Sequence, residues 1–322
     1  MPFRLLLLLC GVAVSVSPAA TWREDFADDP SSRGWRVFGE TNLFRWDSTN
    51  QNLQVTWDSS RSNSYFFRFL GILLSCGDDF GMTFDLRVDV AGPGVETNKP
   101  FAFELALGFL NSKEATGTNF LRGTGIDSPD LVEFDYFPDT GFGATVWPVC
   151  VSSNSMFNYN GPADYKIFPL TPGEWYHVTM AFTASTQTLV TTLTNASQTD
   201  GFSLRTPMIA AFTDFRADTI SVSSYSDRGA GDSILARGAV DNLVVIVPDP
   251  PVTNLAGAFL NGVWQVQFTA RNDWLYTLES TEDLRTWTNA SPATPGTDGT
   301  LTWSNNNAVV PRAFYRVKAE KP

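Results

Sequence analysis

Apolar and polar positions alternate along most of this chain, in runs about as long as single strands. "LQVTW" (53–57), "SYFFRFL" (64–70), "DFGMTFDLRVDV" (79–90), "FAFELALGFL" (101–110), "EWYHVTMAFTA" (174–184) and "TLVTTLTN" (188–195) are of this kind. Gly, Asn, Ser and Asp separate them. Period-two patterning bounded by turn residues predicts strands. No stretch holds a helical period over a dozen residues. Many short strands with frequent turn signals predict an all-β sandwich or barrel. "VPDPPV" (247–252) interrupts the pattern, because prolines so close together cannot continue a sheet and make a stiff spacer. Beyond it, "GVWQVQFTA", "WLYTLESTEDLRTW", "GTLTW" and "RAFYRVKA" predict a second, smaller sandwich. "STEDLRTW" carries a Ser-x-x-Asp spacing from Ser280 that predicts a short helical turn.

The first twenty residues break the pattern differently. "MPFRLLLLLCGVAVSVSPAA" has one positive charge, Arg4, then an apolar stretch, then small residues, and reads as an export leader cut after Ala19 or Ala20. Leu9 stands before Cys10 where a lipid-anchored leader needs a small residue. The expected organisation is a leader at 1–20, a sandwich at 21–247, a linker at 248–252 and a small β-sandwich at 253–322. The expected location is outside the cell, at its surface or in a periplasm, with no membrane insertion.

Composition narrows the partners. The 322-residue chain is 43 % hydrophobic and 17 % charged, with a net charge of −12. Losing Arg4 makes it more acidic still, so phosphate backbones and anionic membrane surfaces are poor partners. Aromatics are 13 % of the chain, with 10 Trp and 25 Phe. Such a load fills sandwich cores and also builds sugar-stacking surfaces. Cys76 and Cys150 remain after export, as one disulfide or as two buried thiols; closing that loop would stabilise the fold by roughly 4 kcal/mol. His177 is the single histidine, so His-based triads and zinc sites have little to build on. Alternation puts Trp175 and His177 on one strand face and Tyr176 and Val178 on the other.

The densest chemistry lies in "LVEFDYFPDTGFGATVWP" (131–148). Glu133 and Asp135 are two apart on a strand and therefore point the same way. A cation, a shared proton, open water or a neighbouring Arg122 could each make the acid pair tolerable. Calcium takes six to eight hard oxygens at about 2.3–2.6 Å, and a strand ending in an Asp/Pro/Gly turn can curl carboxylates and a carbonyl around one ion.

"GEWYHVTMAFTASTQTLVTTL" (173–193) resembles the paired strands of laminin G-like domains. "VEFDYFPDTGFG" (132–143) is similar to the metal loop of legume lectins. Together they place 21–247 beside the concanavalin A-like lectin/glucanase superfamily, whose fold is a jelly-roll sandwich. The resemblance implies Ca2+ held by Glu133, Asp135, the Phe137 carbonyl and Asp139. Ala144 and Val149 stand where the family has a further Asp and a His, so the transition-metal half of such a site is depleted. It also implies a glycan or polysaccharide ligand near the 136–147 turn, stacked on Tyr136, Phe142 and Trp147 with Asp139 beside them. The tail "YTLESTEDLRTW … FYRV" resembles a small β-domain appended to secreted bacterial proteins of the Verrucomicrobia type.

The expected function is non-catalytic glycan binding. One alternative is a laminarinase-type glycoside hydrolase using Glu133 and Asp135. That resemblance puts Pro138 where the acid/base Glu belongs, with Asp139 one step later. Retaining enzymes hold their carboxyl groups about 5–5.5 Å apart, whereas alternate residues of one strand are roughly 6.6 Å apart. The other alternative is an adhesion or spacer module, which a filled or flat sheet face would favour.

Overall fold

The computed structural model describes residues 19–122, 128–260, 263–305 and 313–321. Most of the expected leader and residues 123–127 lie outside the described residues. The large domain runs through β1 (Ala19–Glu24), β2 (Arg36–Phe38), β3 (Phe44–Asp47), β4 (Asn52–Asp58) and β5 (Ser64–Leu74). It continues through β6 (Phe80–Gly92), β7 (Leu105–Leu110), β8 (Leu131–Phe137), β9 (Thr145–Val151) and β10 (Lys166–Ile167). It ends with β11 (Trp175–Thr183), β12 (Thr188–Asn195), β13 (Gly201–Pro207), β14 (Ala217–Ser224) and β15 (Leu235–Pro248).

These strands form two antiparallel sheets. Among the described residues one sheet has eight strands in the order β13-β12-β11-β6-β15-β4-β3, with β1 also on β15. The other has seven, in the order β10-β9-β8-β7-β14-β5-β2. The period-two pattern explains the packing. In β11, Tyr176, Val178, Met180 and Phe182 are buried while His177 and Ala181 are exposed. In β6, Phe80, Met82, Phe84, Leu86 and Val88 face the same core. Phe84 meets Phe134 of the opposite sheet edge-to-face at 5.6 Å, and Phe80 packs with Phe109, Phe182 and Phe215. Most of the aromatic load is thus core packing.

β8 departs from alternation, since Leu131 through Tyr136 are all buried. Arg122, which follows β7 in the chain, lies over its second face.

Cys76 and Cys150 are both buried free thiols. Burial pushes the Cys76 thiol up to about 12 and raises Cys150 as well, so neither is a ready nucleophile.

β15 ends at Pro248 and the next strand begins at Val252. The small domain contains β16 (Val252–Leu260), β17 (Val263–Ala270), β18 (Leu275–Thr281), β19 (Thr288–Asn289), β20 (Thr294–Pro295), β21 (Thr300–Asn305) and β22 (Phe314–Glu320). They make two sheets, β16-β17-β21 and β19-β18-β20, with β22 on β18. The helical turn expected from Ser280 is absent: Asp283 accepts the N–H groups of Arg285 and Thr286, and Leu284 is left-handed at φ 61°. A side-chain-capped turn satisfies the backbone there in place of a helix.

The two domains are joined by charge as well as by chain. Asp78 of the large domain has a fully buried side chain and bonds Arg271 Nη2 at 3.0 Å and Lys321 Nζ. Ser75 also donates to it from N and Oγ. Arg271 donates onward to the Asp249 carbonyl and Tyr276 to the Pro251 carbonyl, which ties down the linker. Asp78→Asn leaves two cations facing a neutral amide, and removing one partner of a buried pair destabilises by about 3–5 kcal/mol. Calorimetry is expected to show the small domain melting earlier, as a separate transition. Asp89→Asn, which breaks the half-exposed pair with Arg87, is expected to shift stability by less than about 1 kcal/mol.

Candidate functional site

The register of the seven-stranded sheet aligns side chains on the face that points away from the other sheet. Trp147 pairs with Asp135, Asp135 with Ala106, Ala106 with Ser223, and Ser223 with Tyr65. One row further, Val149, Glu133, Gly108 and Ser221 are in line. The acids of the 131–148 stretch therefore sit on this outer face, over a floor of small residues. Gly108 is part of the arrangement, because a Cβ there would lie 2.8 Å from Glu133 Cγ and 2.3 Å from the Val132 carbonyl.

The middle of this face is filled by the chain's own β7–β8 connection. Phe120 stacks on Tyr225 at 6.0 Å and meets Tyr65 edge-on at 6.5 Å. Arg122, with a side chain only 4 % exposed, reaches Asp135 Oδ2 with Nη2 at 2.6 Å. Its Nε lies 3.5 Å from Glu133 Oε2 and 3.8 Å from Glu104 Oε1. The Tyr225 hydroxyl donates to Glu133, and the Arg122 guanidinium lies 5.3 Å from the Tyr225 ring centroid. Burial, with the Glu133 charge adding to it, raises the Tyr225 phenol well above its ordinary value, so it stays a donor.

This geometry sorts the expected site residues. Glu133 and Asp135 point the same way and are fully buried against Arg122. They are withdrawn from any substrate, which removes the footing of the hydrolase alternative at this pair. Tyr136 corrects an expectation. It is one residue out of phase with Asp135, so it faces the core, 4 % exposed, with its hydroxyl accepting the Leu170 N–H. Asp139 accepts the Gly141 N–H in the turn after β8. Phe137 is half-buried at the strand end and touches Trp147 at 6.4 Å.

Calcium does not fit these residues. A guanidinium already supplies the positive charge between Glu133 and Asp135, and Asp139 is engaged in its own turn. Among the described residues no group of three or more His, Cys, Asp or Glu side chains is arranged to hold a metal ion.

Phe142 and Trp147 do come together, in a larger aromatic cluster than the sequence suggested. Trp147 contacts Phe157 at 5.5 Å, Tyr159 at 5.5 Å and Tyr165 at 5.3 Å, and Tyr165 contacts Phe142 at 5.9 Å. Phe142 is 56 % exposed and Tyr159 46 %. The 157–165 segment runs beside β9, with Phe157 bridged to Val151 and Lys166 paired with Val146. Nothing local in "FNYNGPADY" marks Tyr159 and Tyr165 as neighbours of Trp147; the missed signal was that a short, aromatic-rich stretch could form the sheet edge.

Arg122→Met is expected to destabilise the protein by about 3–5 kcal/mol in urea unfolding, because it leaves buried carboxylates without this cation. Adding Glu133→Gln and Asp135→Asn to that variant is expected to restore most of the loss. The melting midpoint of the unmodified chain is expected to be the same in excess calcium and in chelator; an ion held only by the folded state would raise stability by about 2.7 kcal/mol at a hundredfold excess over its Kd.

Comparison with protein-family models and with curated protein sequences finds no match. Among solved structures the chain is similar to legume lectins. Peanut lectin with a 9mer peptide aligns at 13 % identity over 72 % of this chain and 99 % of that one, with a TM-score of 0.47. Lectin UEA-II complexed with galactose aligns at 14 % identity over 71 % and 98 %, TM-score 0.45. Arcelin-5, a lectin-like defense protein from Phaseolus vulgaris, aligns at 14 % over 71 % and 98 %, TM-score 0.42. By its own strand pairing the large domain is an all-β sandwich of two antiparallel sheets.

Proposed function

We propose that this protein is exported and binds a saccharide of an extracellular glycan or polysaccharide, without catalysis and without calcium, at the aromatic cluster around Trp147. The observation that carries the reading is the set of touching, partly exposed rings of Phe142, Trp147, Tyr159 and Tyr165 on one sheet edge. Sugar rings present flat C–H faces, and aromatic faces on a rigid strand scaffold take them up with little loss of entropy. The Thr140–Gly143 turn and Asp139 border the rings with polar groups. The acidic net charge favours a neutral or basic glycan over an anionic one.

A second reading has its own observation. The centre of the same sheet face is filled by Phe120 and Arg122, as befits a spacer or adhesion module with no sugar site. Glycan-array binding of the chain without its leader separates the two. Carbohydrate binding is expected for the unmodified protein, with Tyr159→Ala weakening it at least about tenfold, roughly 1.4 kcal/mol, at an unchanged melting midpoint. An array with no bound glycan gives the spacer reading first place, and binding indifferent to both Tyr159→Ala and Trp147→Ala removes the Trp147 cluster as the site.

A further inference from the structure

The outer face of the eight-stranded sheet carries a polar row of its own. His177 pairs in register with Asp85, and Asp85 with Asp241. His177 Nδ1 lies 2.7 Å from Asp85 Oδ1. The β15 ladder slips between Asp241 and Val244, and the bulge puts Asn242 at φ 49°. From there the Asn242 amide donates to Asp85 Oδ2 at 2.7 Å. The next row holds Trp175 opposite Arg87 and Arg87 opposite Ala239. The Arg87 guanidinium lies 4.9 Å from the Trp175 ring and is paired with Asp89. Between these rows is a cavity of about 370 Å³, lined among others by Asn52, Asp85, Arg87, Trp175, Asp241 and Asn242. Asn52 is only 3 % exposed, and its Oδ1 accepts from Gln54 at 2.6 Å.

We propose that this cavity is a second binding site, for one unit of a neutral, hydroxyl-rich saccharide. The lining sets donors and acceptors side by side. Amides offer both, carboxylates only accept, and the guanidinium only donates. A ligand that both gives and takes hydrogen bonds at adjacent atoms matches that lining, as vicinal hydroxyls do. An anion would face both Asp85 and Asp241. A purely apolar ligand would strip water from the amides and replace none of their hydrogen bonds. Trp175 supplies the single apolar wall. Burial lifts the Asp241 carboxyl to about 6, against the lowering bond from the Asn242 N–H and with Asp85 adding to the rise, which marks a partly dehydrated recess. The site is on the opposite sheet from the Trp147 cluster and does not rest on that reading. Two sites on opposite faces would let one molecule hold two chains of a polysaccharide.

Titration calorimetry with glucose, galactose, mannose, xylose and cellobiose, each against glucosamine, tests the proposal. The proteins are the chain without its leader and its Trp175→Ala, Asn242→Gly and Tyr159→Ala variants. Asn242→Gly keeps the left-handed backbone and removes only the amide. Saturable binding of a neutral sugar is expected, with a component that is weakened at least about tenfold (1.4 kcal/mol) by Trp175→Ala and by Asn242→Gly and that persists when Tyr159→Ala removes the contribution of the Trp147 cluster. Absence of binding by every neutral sugar overturns the proposal, as does binding of glucosamine alone. Binding that both cavity variants leave intact overturns it too. Binding lost only in Tyr159→Ala belongs to the Trp147 cluster, which leaves the first reading standing and this one refuted.

Discussion

Burying Glu133 and Asp135 on one sheet face obliges the protein to place a positive charge between them, and Arg122 is that charge. An unmatched carboxylate in that interior would cost several kcal/mol, so the chain carrying Arg122 cannot lift away freely. The consequence runs outward from the guanidinium. Phe120 is drawn onto Tyr225 and Tyr65, the Tyr225 hydroxyl is directed at Glu133, and the small floor of Ala106, Gly108, Ser221 and Ser223 is roofed over.

That roof divides the surface of the large domain. On the seven-stranded sheet it leaves open the β9 edge, where aromatic residues crowd around Trp147, and a smaller recess beside Phe67 and Phe69 of β5. On the eight-stranded sheet, among the described residues, the row of His177, Asp85 and Asp241 stays open, and a cavity lies there beside the bulge at Asn242. The two faces differ in kind. One is aromatic with a polar border, the other polar with one aromatic wall. A sandwich exposes two such faces by construction, because each sheet spends only one face on the shared core.

The small domain is held by a different economy of charge. Asp78 is buried beside cations from both ends of that domain, Arg271 near its start and Lys321 near its end. A short proline-rich linker limits how far the domain can travel, and its carbonyls at Asp249 and Pro251 are already engaged.

Much of this was legible in the residues. Alternation fixed which side of β11 is buried, the prolines at 248–251 marked the end of β15, and Arg122 was a named partner for the acid pair. Local patterning carries such information because a strand's period and a proline's geometry act within a few residues. Other features were beyond its reach. The burial of both faces of β8 depends on a segment that folds back over it. The lectin-like stretch predicts Tyr136 as a surface ring, whereas strand phase turns it into the core. Tyr159 and Tyr165 reach Trp147, and Asp241 reaches Asp85, only through sheet registers that join distant parts of the chain. The sequence by itself determined the strands and their inward faces; pairing across the sheets decided which side chains meet, because register is set by the whole fold's packing and not by any one strand.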